Sequence, residues 1–251
     1  MPVFTKLKVL DLFAGIGMFS YGLHKTRLYE TKAFCEWDMG CQKVLRKNFN
    51  GVPIYEDIKD LRATDLSFFP DVLTGGFPCQ DISEAGKREG ITGERSSHWK
   101  HYARLIDEIK PKGVIIENVS ALLRRGLDVV LSDLHTLGYD AEWHCITAKH
   151  LGAYHERDRV WIIAYRNDNG KQGFKPLQYF KQDGQGWEDR KADMQQMFES
   201  PFGRSDNWPE PLVRRVDVQR PEWVDRIGQL GNTVYWPIVE RLGYHLYENI
   251  K

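Results

Sequence analysis

Asp11-Leu12-Phe13-Ala14-Gly15-Ile16-Gly17 is the stretch that decides the fold. It lies where a buried, apolar run hands over to residues with helical spacing. Glycines at such a turn let the backbone approach a ligand closely, and the helix that follows offers free N–H groups in its first turn. The same residues also suit a plain strand-to-helix turn, since a Gly-x-Gly alone is a weak signal. About twenty residues on, the distance at which a nucleotide-binding turn finds its acidic partner, Cys35-Glu36-Trp37-Asp38 closes the next strand. An acid there can grip a ribose hydroxyl. Asp38 can cap the next helix at the same time.

Outward from these two points, residues 7–118 alternate short β-branched runs with helix-period stretches, the pattern of a parallel sheet wrapped by helices. Strands are expected at 8–13, 32–36, 71–74 and 114–117. Trp99, Tyr102, Ala103, Ile106 and Ile109 recur at helical spacing, and Pro111 closes that element. A further helix is expected over 127–137, ended by Gly138, and then strands at 141–146 and 160–165. After Arg166 the segments 167–173 and 182–189 are rich in Gly, Asn, Asp and Gln, which predicts loops or a small irregular subdomain. A final helix over 237–247, with Ile238, Leu242 and Leu246 on one stripe, is expected to pack back on the first domain.

With 251 residues, 41% of them hydrophobic and 28% charged, the chain can bury a core of one generous domain or one and a half, and is neither disordered nor fibrous. Lys+Arg 35 balance Asp+Glu 35. A protein that coats nucleic acid by bulk charge is thereby excluded, while a local cationic groove is not. The four cysteines form no CxxC pair, no secretory leader precedes the apolar run at 7–13, and that run is too short to span a bilayer. A cytoplasmic setting with free thiols and no membrane is expected. The spacing of His24, Cys35 and Cys41 fits no common zinc site, so no metal is expected.

Gly75-Gly76-Phe77-Pro78-Cys79-Gln80-Asp81-Ile82-Ser83 follows a strand. Cys35, Cys41 and Cys145 read as buried, inert thiols. Cys79 differs, because it occupies a Pro-constrained loop at the ligand-binding edge of the sheet, where nearby cations or N–H groups can turn a thiol into a nucleophile. Glu117-Asn118-Val119 ends the strand that begins near Gly113, so Glu117 either faces the same crevice or is a surface-loop acid.

Taken in order, these motifs resemble the DNA cytosine-5 methyltransferase family. Asp11 to Gly17 looks like its S-adenosylmethionine loop, Glu36-Trp37 like its ribose and adenine contact, and Glu56-Asp57-Ile58 like the acid that meets the adenine. Phe77-Pro78-Cys79-Gln80 matches the nucleophile motif, Glu117-Asn118-Val119 the catalytic-acid motif, Arg157-x-Arg159 the paired arginines, and Gly231-Asn232-Thr233-Val234 the closing motif that folds back onto the cofactor. The series covers nearly the entire chain, with 167–205 least like the family. The resemblance implies an α/β, Rossmann-like S-adenosylmethionine-dependent methyltransferase fold: a catalytic domain over 1–166, a reduced target-recognition region over 167–226, and a returning segment over 227–251. It implies catalytic roles for Cys79, Glu117, Arg157 and Arg159, and cofactor contacts from Phe13, Ala14, Gly15, Gly17, Glu36, Trp37, Asp57, Ile58, Pro78, Asn232 and Val234. The implied partners of a monomeric enzyme are double-stranded DNA and S-adenosylmethionine.

The implied chemistry is covalent. A Cys79 thiolate adds to C6 of a flipped-out cytosine, Glu117 neutralises charge at N3, and the arginines meet the base O2 and neighbouring acids. The glycine-rich, charged stretch 84–97 looks like a mobile lid. Two departures stand out. His155 replaces the Gln usual in the family, and the recognition region is short. Candidate base readers reduce to Lys171, Lys175, Gln178, Tyr179, Lys181, Arg190 and Arg204, which predicts a short or relaxed DNA site. The alternatives are a tRNA cytosine-5 methyltransferase, whose Cys-Phe-Thr signature is absent here, and a catalytically inactive DNA-binding regulatory homologue.

Overall fold

Leu7–Leu12 is apolar at all positions but Lys8 and Asp11, so neither of its faces can be left in water, and it becomes an inner strand. The computed structural model describes residues 5–78, 97–151, 153, 157–167, 175–177 and 234–251. Its strands are β1 (Leu7–Leu12), β2 (Tyr29–Cys35), β3 (Ile54–Tyr55), β4 (Val72–Gly75), β5 (Gly113–Val119), β6 (Tyr139–Thr147) and β7 (Asp158–Arg166). Its helices are α1 (Met18–Lys25), α2 (Met39–Asn48), α3 (Ser97–Ile109), α4 (Leu122–Arg125), α5 (Leu127–Thr136) and α6 (Trp236–Ile250).

The strands form one sheet in the order β3-β2-β1-β4-β5-β7-β6. From β3 through β5 the neighbours are parallel, whereas β7 runs antiparallel to both β5 and β6. This is a Rossmann-like α/β sheet, as expected, with one strand reversed. Every strand expected from the pattern forms. The two-residue β3 and the four-residue α4 do not register as periodic signals, and β1 stops before Phe13 because that residue takes a left-handed φ of 51°.

One face of the sheet carries Leu10, Leu12, Leu73, Val114, Ile116, Ile162 and Ala164 against α3 and α5, through Trp99, Tyr102, Leu105, Val130 and Leu134. Burial of each such side chain stabilises the fold by about 1.5–3 kcal/mol. The indole N–H of Trp99 donates to Asp133 at 2.8 Å, which satisfies the one polar atom of a fully buried ring. The opposite face is covered by α1 and α6, which also pack on each other. As expected, α6 returns to this domain with Ile238, Leu242 and Leu246 buried. It also seats a polar cluster, in which Glu142 Oε1 accepts from Tyr165 Oη at 2.5 Å and meets His245 Nε2 at 2.6 Å, while Oε2 meets His144 Nε2 at 2.9 Å.

Cys35 and Cys41 are buried, and desolvation pushes both thiols up to about 12. Cys145 corrects the sequence reading: it is exposed on the edge strand β6. The chain divides into two compact units, one of Met1–Pro176 with Gln229–Lys251 and one of Leu177–Gly228. Only Leu177 of the second falls among the described residues. Among the described residues no helix is long and apolar enough to cross a membrane.

Candidate active site

In a parallel sheet the strands deliver their carboxyl ends to one edge, and the motifs gather there. β1 ends at Leu12, and Phe13 turns the chain out of the sheet, its ring stacked on Tyr102 at 6.3 Å and edge-on to His98 at 5.6 Å. Gly15 follows with φ 55°, and nothing lies within 4 Å of where a Cβ would stand. Gly17, with φ 88°, is the opposite case, since a Cβ there would meet Phe49 at 2.6 Å and Leu45 at 2.9 Å. One glycine leaves open space in front of the turn; the other lets α1 start against α2.

Glu36 ties this turn to the end of β2. Its Oε2 accepts from the Gly15 N–H at 2.6 Å and its Oε1 from the Asp38 N–H at 2.7 Å. Burial nonetheless raises its carboxyl above the usual range. Trp37, next in sequence, is 73% exposed, a flat apolar ring left open to solvent. Asp38 caps α2 by accepting from the Cys41 N–H at 2.7 Å, so an acid for the site and a helix cap coexist in one tetrapeptide. Further along, Asp57 accepts from the Lys59 N–H at 2.9 Å, and Ile58 is buried in the core.

β4 and β5 bring the other half. Asn118 Nδ2 donates to the Phe77 carbonyl at 3.1 Å, and the buried Phe77 ring packs on Trp99, so the loop is anchored just before its exposed Pro78. Gly76 leaves room for Glu117, whose Oε2 would lie 2.8 Å from any Cβ added there. Glu117 is buried, with Arg159 Nε 2.9 Å from its Oε1. Burial raises the Glu117 carboxyl; Arg159 and then Arg157 pull the other way. Arg157 is half-buried, and desolvation followed by the charge of Arg159 lowers its own value.

The reversal of β7 explains how the arginines arrive. An antiparallel strand begins where its parallel neighbours end, so Arg159 stands opposite Val119 in the ladder, on the sheet face that Glu117 shares. The sequence motif alone gives Asp11 no role. Its fully buried carboxylate accepts from Ser20 N at 3.2 Å, Ser20 Oγ at 2.7 Å and Thr74 Oγ1 at 2.9 Å. An acid inside an otherwise apolar strand was the available signal.

Val234 is half-buried just before α6. Cys79, the 84–96 stretch with Lys87, Arg88 and Arg95, His155, Asn232 and all the proposed base readers but Lys175 lie outside the described residues. Lys175 is exposed, and its backbone N–H donates to Asn249 at 2.7 Å. Among the described residues no group of three or more His, Cys, Asp or Glu side chains converges to hold a metal.

The geometry can be set beside known proteins. Residues 7–210 match the C-5 cytosine-specific DNA methylase family. The type II methyltransferase M2.BsuMI of Bacillus subtilis (strain 168) is 38% identical over 166 residues, covering 63% of this chain and 42% of that protein. M.CviJI of Paramecium bursaria Chlorella virus IL3A is 34% identical over 162 residues, covering 64% of this chain and 44% of its own length. The chain thus spans less than half the length of these curated relatives. Among solved structures, the Entamoeba histolytica methyltransferase EhMeth superposes with a TM-score of 0.59 at 18% identity, covering 69% of this chain and 55% of that one. A Spodoptera frugiperda DNMT2 mutant gives 0.58 at 20% identity, covering 69% and 54%. These two show a shared fold, while the sequence match, which extends over most of the chain and through every motif from the glycine turn to the paired arginines, assigns the lineage: the chain belongs to the C-5 cytosine-specific DNA methylase family.

Proposed function

We propose that this protein transfers a methyl group from S-adenosylmethionine to C5 of a flipped-out cytosine in double-stranded DNA, acting as a cytoplasmic monomer through a covalent bond between Cys79 and C6. The observation that carries the reading is the buried Glu117, its Oε1 held 2.9 Å from Arg159 Nε, beside the anchored Phe77-Pro78 loop.

The glycine turn suits S-adenosylmethionine. Gly15 leaves open space, Trp37 offers a stacking surface, and the Glu36 oxygens keep lone pairs for ribose hydroxyls beyond their two backbone donors. Phe13, Ala14, Gly17, Asp57, Ile58, Pro78, Asn232 and Val234 complete the proposed contacts. The cosubstrate supplies the methyl group on an electrophilic sulfonium.

The chain supplies the activation. Cytosine C5 is too poor a nucleophile alone, so the Cys79 thiolate adds to C6, and the ring electrons displaced by that bond make C5 nucleophilic. A protonated Glu117, favoured by its burial, donates to N3 as negative charge develops there. Arg157 and Arg159 present fixed charge to the base O2 and hold Glu117 in place. After C5 takes the methyl group, its proton leaves to water, the C5–H electrons expel the Cys79 sulfur, and N3 returns its proton to Glu117, which restores the aromatic ring, the thiolate and the protonated acid.

We assign target reading to a short region over 167–226, and with few candidate side chains there the DNA site should be short or relaxed. Bisulfite sequencing of a host expressing the protein tests both points. The expected result is methylated cytosine at a short motif, lost completely in Cys79→Ala. A stringent site of about six base pairs or more would overturn the recognition reading; methylation by Cys79→Ala would overturn the covalent one.

A further inference from the structure

Gly17, the N-cap of α1, has no side chain with which to cap the helix. Ser20 is the third residue of that helix, and its N–H is one of the donors a helix leaves without an internal partner. Asp11, from β1, takes the place of the cap. Its Oδ2 accepts the Ser20 N–H at 3.2 Å and the Ser20 hydroxyl at 2.7 Å. Negative charge at this end of a helix is favoured by the helix dipole. The other oxygen, Oδ1, accepts the Thr74 hydroxyl at 2.9 Å.

The network extends further in one direction. Ser20 Oγ accepts from Thr31 Oγ1 at 2.8 Å, and the Thr31 N–H donates to His24 Nε2 at 3.1 Å. The Ser20 and Thr74 hydroxyls thus both donate to Asp11, and the Thr31 hydroxyl backs Ser20, so each buried oxygen of the Asp11 carboxyl group has a partner. The two arms reach different halves of the crevice. α1 starts directly after the glycine turn; Thr74 is followed by Gly75, the last residue of β4, and then by Gly76-Phe77-Pro78.

We propose that Asp11 is a positioning residue that holds the glycine turn in register with the strand delivering the nucleophile loop. This rests on the methyltransferase reading given above. The Ser20 arm serves cosubstrate binding, and the Thr74 arm serves the placement of the loop that carries Cys79.

Single-arm variants separate the two. Thr74→Val removes one donor at nearly constant shape; kcat should fall at least tenfold with KM for S-adenosylmethionine within about threefold of wild type. Thr74→Ser, which restores the hydroxyl, should recover most of that loss. Ser20→Ala should raise KM about tenfold with a smaller change in kcat. Calorimetry with S-adenosylhomocysteine gives a readout that needs no turnover, with about tenfold weaker binding for Ser20→Ala and wild-type binding for Thr74→Val. The proposal is overturned if the three chains bind S-adenosylhomocysteine equally, or if kcat and KM move together in every variant in step with a lower melting temperature. A wild type that binds S-adenosylhomocysteine with these differences, yet methylates no cytosine in DNA, would refute the proposed function while supporting the Ser20 arm. A wild type that fails to bind it refutes both.

Discussion

Two alanine substitutions, two positions apart in one loop, should fail for different reasons. In Gly17→Ala the new methyl group would stand 2.6 Å from Phe49 and 2.9 Å from Leu45 on a backbone with φ 88°. Left-handed strain of about 1–2 kcal/mol adds to an overpacking cost of about 1–3 kcal/mol. Since about 1 kcal/mol shifts the melting temperature of a chain this size by roughly 2–4 °C, a drop of roughly 4–20 °C is expected. In Gly15→Ala the strain is similar, but the methyl group enters open space, so the fold loses only about 1–2 kcal/mol, or roughly 2–8 °C. That open space is where S-adenosylmethionine is proposed to lie. Binding of S-adenosylhomocysteine by Gly15→Ala should therefore weaken at least tenfold, about 1.4 kcal/mol. Differential scanning calorimetry reads the first effect and titration calorimetry the second. Wild-type affinity in Gly15→Ala, or equal stability of the two variants, would refute the division of labour between these glycines.

Burial raises the Glu117 carboxyl against the pull of Arg159 and Arg157, and the proposed role needs its proton; kcat should therefore fall as pH rises through that value. Glu117→Gln should flatten this limb of the profile and lower kcat by roughly 10²–10⁴-fold, measured by tritiated methyl incorporation. The Asp11 carboxyl is raised from 3.8 to about 7, chiefly by burial. A raised acid contributes stability that is fully present below its unfolded value and is lost as pH rises through the folded one. Urea unfolding should thus show up to about 4 kcal/mol of declining stability between roughly pH 4 and pH 8, a slope that Asp11→Asn removes. Tyr165→Phe deletes the 2.5 Å donor to the buried Glu142 and should cost about 1.5–3 kcal/mol in the same assay while leaving methyl transfer intact; unchanged stability would show that the cluster under α6 contributes little.

What the sequence revealed and concealed follows from the range of each interaction. The glycine turn, the acid ending β2, the capping role of Asp38 and the stripe of α3 are local patterns, legible from spacing because period and capping act within a few residues. β3 is too short to have a period. The direction of β7 has no local signature, since its run Val160 to Tyr165 would serve equally well in either sense. Arg157 and Arg159 were read as a pair, yet only the folded sheet sets Arg159 at 2.9 Å from Glu117. The reach of Asp11 to Thr74, sixty-three positions away, was invisible for the same reason: a carboxylate in an apolar strand announces a need for partners without saying which.

The reversed strand also bears on how the chain finds its native state. Along the β5–β7 ladder, Val119 faces Arg159 and Glu117 faces Trp161. A slip of one residue would turn the entire side-chain set of β7 over to the other face of the sheet. In one direction the slip carries Asp158 to the place of Arg159, setting carboxylate against carboxylate in a buried crevice; in the other it brings Val160, which leaves Glu117 without a counter-charge. Both mispairings are penalised electrostatically beyond their lost packing. The arginine proposed to serve the chemistry thus also acts as a checksum on strand alignment, and a chain stripped of it would face a rougher folding landscape before it faced any substrate.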